Sequence, residues 1–347
     1  MYIGLTDEQE LLRDTTARLA DQLATVDPDA ISSGDQLDND WREVVALGVP
    51  ALRAPEVWEL DASGVETAVV VEEFARRLCA VPVLGQGALA TELLHAAGAD
   101  KEIELVADGT LRLAPLLSPD LTGFAARPEG AIAFDAAGAT HALAAIDDDG
   151  HRRLVYAPID AVQAGGLDLT RALGTVSTFD LDSATTAGQP IDAQRWTKAN
   201  ALALTVVAAD LVGVMAGALD DAVRYAGERV QFGVKIGSFQ AIQHLLADSL
   251  ARLEGARSCL WHAAWAVDHL PADEAMLAAR TAKAYSSAAG RDVVETAIQV
   301  LGGISITWEH LAHVRLRRTL LNRRLFGDEA AHYQAIAQLR LADRDLG

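Results

Sequence analysis

"RYAGERVQFGVKIGSFQAIQHLLADSL", residues 224–250, decides how the chain is read. Helical periodicity runs up to Arg229, halts over a short stretch holding Gly233 and Gly237, and resumes at Ser238. The interruption carries Arg229, Gln231, Phe232 and Lys235. Taken alone, it is either a helix–helix connection with a basic turn or a loop that holds something. Beyond it, Phe239, Ile242, Leu245, Leu246, Leu250 and Leu253 fall on one helical face. Before it, "ALALTVVAADLVGVMAGAL" at 201–219 is about one bilayer long as a helix. Asp210 sits at its centre and Asp220 and Asp221 follow, so it reads as a buried core helix rather than a membrane span.

Working outward, helical period predicts long helices at 196–229, 238–268, 273–301, 307–324 and 327–343. Residues 1–107 also read as mostly helical. Thr6 is an N-cap candidate before an acidic first turn, and Leu11, Leu12, Ala17, Leu19 and Leu23 make an apolar stripe. Further helices are expected to end at Gly48 and at Pro82, with another over "LGQGALATELLHAAGA". Composition changes at 108–190, where "LRLAPLL", "GAIAFDAAG", "THALAAID", "RRLVYAPID" and "TVSTFDLD" read as strands separated by Gly- and Asp-rich turns. The expected class is α+β: an N-terminal helical domain (1–107), a small middle β-domain (108–190) and a C-terminal helical bundle (191–347).

The bulk numbers exclude several functions. The 347 residues carry 29 Lys+Arg against 49 Asp+Glu, a net charge of −20, which disfavours nucleic acid or an anionic membrane as partner. The two cysteines, Cys79 and Cys259, are far apart and fit a reducing, cytoplasmic compartment. The first residues lack the basic-then-apolar pattern of a secretory signal. No metal site is expected: His310 and His313 could share a helix face but lack a third ligand nearby.

Three segments carry more information together than apart: "ERVQFGVKIGSFQAIQ", "AIQVLGGISITWEH" and "RLRRTLLNRRLFGDE". Singly they read as a basic turn, a glycine C-cap and a solvated arginine face with five arginines in 315–324. In this order, between helical and β regions, they resemble the acyl-CoA dehydrogenase family over essentially the whole chain. That family has an N-terminal helical domain, a middle β-domain and a C-terminal four-helix bundle. The resemblance implies FAD as cofactor, with Arg229 on the FAD pyrophosphate, a guanidinium fork suiting phosphate oxygens. It also implies contacts from Phe232, Phe239, Gln240, Gln299, Gly302 and Gly303, made mainly to FAD held in a neighbouring subunit. Glycines at 302 and 303 allow close backbone approach.

The chain departs from the family where the chemistry starts. The family's Glu base, counted without gaps from Gly303, falls on Phe326, which cannot take a proton. Asp328 and Glu329 come two and three residues late. An alternative base position, on the first bundle helix, falls near Ala203. Asp210 lies two turns further on, and burial is expected to raise its pKa. It is a candidate base, or else a structural ion-paired group. The family's Thr-Glu-Pro, Gly-Ser-Asp and Trp-x-Thr segments of the middle domain are missing, and 108–190 has no Trp.

This pattern resembles the non-catalytic subunit of actinobacterial α2β2 steroid side-chain acyl-CoA dehydrogenases. It implies a homologous catalytic partner subunit that binds most of the acyl-CoA, and a separate electron acceptor. A self-sufficient homomeric dehydrogenase using Asp210, and a flavin-free module on the same fold, stay open at the sequence level.

Overall fold

The computed structural model describes residues 4–54, 62–159, 161–164 and 166–342. Helix α1 (Asp7–Gln22) starts as expected at Thr6, whose side chain and that of Gln9 form a reciprocal capping box. Its stripe faces inward only in part, since Leu11 is exposed while Thr16 and Ala20 are buried. Helix α2 (Gly34–Ala46) ends before Gly48, which takes a left-handed conformation at φ 82°. Helix α3 (Gly64–Arg76) ends five residues earlier than Pro82 alone would require, at a turn where Leu78 has φ 54°. A wide helical segment (Val83–Leu89) runs into α4 (Ala90–Ala97), followed by α5 (Asp100–Ala107).

Seven strands follow: β1 (Leu113–Leu117), β2 (Ile132–Phe134), β3 (His141–Asp148), β4 (His151–Pro158), β5 (Ala161–Ala164), β6 (Leu173–Val176) and β7 (Thr185–Ile191). Their order is β5-β6-β2-β1-β3-β4-β7. β1 changes partner along its length: Leu113–Pro115 pair in parallel with β3, whereas Leu116 and Leu117 pair antiparallel with β2. It therefore joins two half-sheets. The chain leaving β1 then crosses toward the bundle at Leu121 and Phe124.

The C-terminal region is built on α6 (Ala193–Glu228), α7 (Gln240–His269), α8 (Ala272–Leu301), α9 (Ala312–Arg324) and α10 (Glu329–Ala342). Helix α8 lies against α6, α7, α9 and α10. The apolar window of α6 is long enough to cross a membrane but is entirely buried inside the protein. Gly213 and Gly217, four residues apart on α6, let α3 approach closely: a Cβ on Gly217 would collide with the Arg76 carbonyl.

Candidate functional site

The interruption after α6 is a β-hairpin, not a loop. β8 (Val230–Gln231) pairs with β9 (Val234–Lys235), and the turn residues Phe232 and Gly233 both have positive φ, at 54° and 80°. That is the requirement of a type I′ turn, whose twist matches the flanking strands. It projects Phe232 into solvent at 95% exposure, edge-on to Phe239 at 6.4 Å. Arg229 caps α6 through its backbone N–H to Tyr225 O (2.8 Å), and its exposed guanidinium has no hydrogen bond or ion pair among the described residues.

The other predicted contact residues come to the same end of the bundle. Ile236, just past the hairpin, Ile242 of α7, Ile298 of α8 and Leu311 of the following loop all pack against one buried cluster that includes Ala226, Ala297 and Val300. Gln240 and Gln299 are exposed. Helix α8 stops at Gly302 (φ 63°, ψ −141°), and side-chain space beside Gly302 and Gly303 is open. The cluster thus presents an unpaired guanidinium, exposed aromatic rings, two amides and accessible backbone on one outward-facing surface. That donor set suits a phosphate-containing aromatic ligand approached from outside.

Asp210 lies elsewhere, wholly buried where bundle, sheet and N-terminal helices meet. Arg318 grips it in a fork, Nε to Oδ1 at 2.8 Å and Nη2 to Oδ2 at 2.6 Å. Asn322 Nδ2 donates to Oδ1 at 2.6 Å, and Arg171 Nη2 pairs with Oδ2. Arg171 in turn binds Asp135 Oδ1 and Oδ2 at 2.9 and 2.8 Å, and Asp135 accepts from Gly85 N–H at 2.7 Å. The expected rise in the Asp210 pKa is reversed. Burial pushes the carboxyl up, but Arg171 and Arg318, with hydrogen bonds from Arg318 and Asn322, outweigh it and hold it at about 2.

The arginine run is also not a solvated face. Arg315 and Arg318 are buried, Arg315 on Asp221 and Arg76 O, while Arg323 pairs with Glu329. Sequence reasoning missed Asp135 and Arg171, which pair with each other across 36 residues, Arg171 reaching on to Asp210 39 residues away.

Phe326 is 6% exposed and has φ 57°. Its N–H donates to Leu121 O at 2.8 Å, and Leu121 itself has φ 65°. The ring stands edge-on to Phe124 at 5.1 Å, and Phe124 tilts against Trp196 at 5.5 Å. An aromatic row therefore fills the junction between the strand-exit loop and the start of α6. Asp328 and Glu329 face away from it, toward the α10 start, where Asp328 accepts from Ala331 N–H at 3.0 Å and Glu329 pairs with Arg323.

With this geometry fixed, comparison with known proteins places the chain. Residues 6–104 match the acyl-CoA dehydrogenase N-terminal domain and residues 202–340 its C-terminal domain. Acyl-CoA dehydrogenase IpdE2 of Mycolicibacterium smegmatis is 31% identical over 332 residues, covering 93% of this chain and 96% of that protein. The chain belongs to the acyl-CoA dehydrogenase family. Among solved acyl-CoA dehydrogenase folds, the Tcur3481-Tcur3483 steroid ACAD aligns at TM-score 0.79 and 23% identity, covering 98% of this chain and 99% of that one. The ChsE4-ChsE5 complex from Mycobacterium tuberculosis aligns at TM-score 0.76 and 21% identity, covering 97% and 98%. At those identities the structural likeness speaks for a shared acyl-CoA dehydrogenase fold.

Proposed function

We propose that the chain is the subunit, lacking a catalytic base, of a cytoplasmic FAD-dependent acyl-CoA dehydrogenase. The enzyme introduces a 2,3 double bond into an acyl-CoA, and this chain supplies FAD contacts to a catalytic partner subunit in an α2β2 assembly. The observation that carries the reading is Phe326. A buried phenylalanine, pinned by Leu121 O and Phe124, supports the reading, because the count from Gly303 puts the family's base at its position. Asp210 offers no substitute, because both its oxygens are engaged by cations and an amide. A base near pH 7 needs a raised pKa and a free lone pair, and Asp210 has neither.

Bound FAD supplies the hydride acceptor for the acyl β-carbon. This chain's own residues would hold it: Arg229 would fork onto the pyrophosphate, Phe239 and Gln240 would lie near the adenosine side, and Phe232, Gln299 and the Gly302–Gly303 backbone would add further contacts. The end of α6, the start of α7 and the end of α8 all pack on one apolar cluster beneath these groups. The proposed units are 1–107, 108–190 and 191–347, the last carrying the cofactor contacts. The Tcur3481-Tcur3483 steroid ACAD among the structural neighbours supports a cholesterol or other steroid side-chain CoA thioester as substrate.

FAD titration into the apo assembly tests the reading. A charge-assisted hydrogen bond contributes roughly 1.5–3 kcal/mol, or about 10- to 150-fold in affinity. Arg229→Ala is expected to weaken FAD by that factor, and Arg229→Lys to recover part of it because a point charge lacks the fork. An unchanged Kd in Arg229→Ala removes the cofactor role from this chain.

A further inference from the structure

The segment 302–311 opens with the two glycines that follow α8. Nearly all its hydrogen bonds stay within it or with the adjoining helix ends. Ser305 Oγ donates to Gly302 O (2.7 Å) and Ile298 O (3.2 Å), and Thr307 Oγ1 donates to Ile304 O (3.0 Å). The His313 ring stacks on Trp308 at 4.9 Å and its Nε2 meets Trp308 O at 2.8 Å. Among the described residues, one hydrogen bond from 302–311 reaches a distant part of the chain. Trp308 Nε1 donates to Asp29 Oδ1 at 2.8 Å, across 279 residues.

Asp29 is well suited to anchor something. It sits in a single helical turn (Pro28–Ala30) that starts at Asp27, whose side chain accepts the Asp29 N–H at 2.8 Å. Pro28 is buried and fixes its own φ. Asp29 is exposed and forms no ion pair among the described residues, and its Oδ1 takes the indole N–H. The tethered segment is the opposite. Gly302 has φ 63°, side-chain space at Gly302 and Gly303 is open, and Ile306 is 82% exposed. A glycine pair has the most backbone freedom to lose on binding, and holding it beforehand lowers that cost.

We propose that Asp29 is a positioning residue for the cofactor half-site, setting the Gly302–Trp308 backbone through Trp308 so that it is ordered before FAD arrives. This rests on the function proposed above. It assigns a role in binding to a turn at the opposite end of the chain from the bundle.

The test uses the full chain in its native assembly with Asp29→Ala, Trp308→Phe and the double variant, and Arg229→Ala as reference. Trp308→Phe keeps a ring to stack on His313 and removes only the donor. Two readouts are taken: amide hydrogen exchange of 302–308 without FAD, and the FAD dissociation constant. Each single variant is expected to speed exchange there and weaken FAD about two- to tenfold, the scale of one net hydrogen bond. The double variant is expected to be no weaker than either single, with the thermal midpoint unchanged. Unaltered exchange and Kd in the singles, or additive losses in the double, overturn the proposal. If Arg229→Ala also leaves Kd unchanged, the cofactor reading fails instead, and exchange alone still reports whether the tether orders the segment.

Discussion

At the scale of single residues, the decisive contrast is between two charged side chains that the sequence singles out. Asp210 sits in an apolar helix and Arg229 at a helix end. In the structure one is fully paired and the other has no hydrogen bond or ion pair to its guanidinium among the described residues. Asp210 is gripped by Arg171, Arg318 and Asn322, and these join the sheet, α6 and α9. Removing its charge leaves the buried Arg318 guanidinium without its counter-ion, while Arg171 keeps Asp135, and breaking one side of a buried pair costs about 3–5 kcal/mol. Asp210→Asn is therefore expected to lower unfolding free energy by about that much in urea titration, while folded material keeps its turnover in the assembly. Loss of the chemical step with FAD retained and stability intact would make Asp210 the base. The identity of the Asp210 partners was not legible, because Arg171 belongs to a β region whose contacts are set by the sheet's topology.

At the scale of elements, the turn joining α9 to α10 shows how a local strain is held. Phe326 and Gly327 both have positive φ. Lys283 of α8, wholly buried, donates to Gly327 O (2.7 Å), Arg323 O (3.2 Å) and Ser287 Oγ (2.9 Å), so each of its three protons has an acceptor. His332 of α10 is buried beside it. Burial, then the Lys283 and Arg280 cations, push His332 down to about 4, while burial pushes Lys283 down to about 7 against the pull of Glu329 and Asp328. Both groups are disfavoured as cations in the fold. The unfolded chain therefore binds their protons first, and stability falls as pH drops, through 10.5 to 7 for Lys283 and 6.5 to 4 for His332. Replacing His332 with Gln is expected to flatten the loss between pH 6.5 and 4, read as the thermal midpoint against pH. An acid limb identical to that of the parent protein would mean that His332 is not held neutral.

The same scale shows what the pattern of residues can and cannot reveal. The bundle helices were legible to within a few residues, five for the start of α9, because their apolar period is long and Gly302 marks a stop. The hairpin at 230–235 was not, since Phe232 occupies a left-handed position that Asn or Asp usually marks. β7 was hidden by Gly188 and Pro190. It is an edge strand, where a missing N–H costs little, and Gly188 is needed for close approach to Ala97 O.

At the scale of the whole molecule, two surfaces have opposite character. The junction around Phe326, Phe124 and Trp196 is closed by aromatic rings. The bundle end with Phe232, Phe239, Ile304, Ile306 and Trp308 leaves large apolar groups exposed around an unpaired Arg229. Family membership was legible from the segments that build that end, because Arg229, Phe232 and Gly302–Gly303 are held locally. The closure at Phe326 was legible only as a residue type, since its partners Leu121 and Phe124 come from another layer. On the function proposed above, a chain shut at its own junction and open at the bundle end contributes half of a site, and an unlike subunit contributes the other half. The direct measurement is the mass and flavin content of the native assembly: absolute mass by light scattering, FAD by absorbance after denaturation, and chain ratio by amino-acid analysis. The account predicts two unlike chains in equal number with one FAD per unlike pair. One FAD per copy of this chain, in an assembly containing no other subunit, would contradict it.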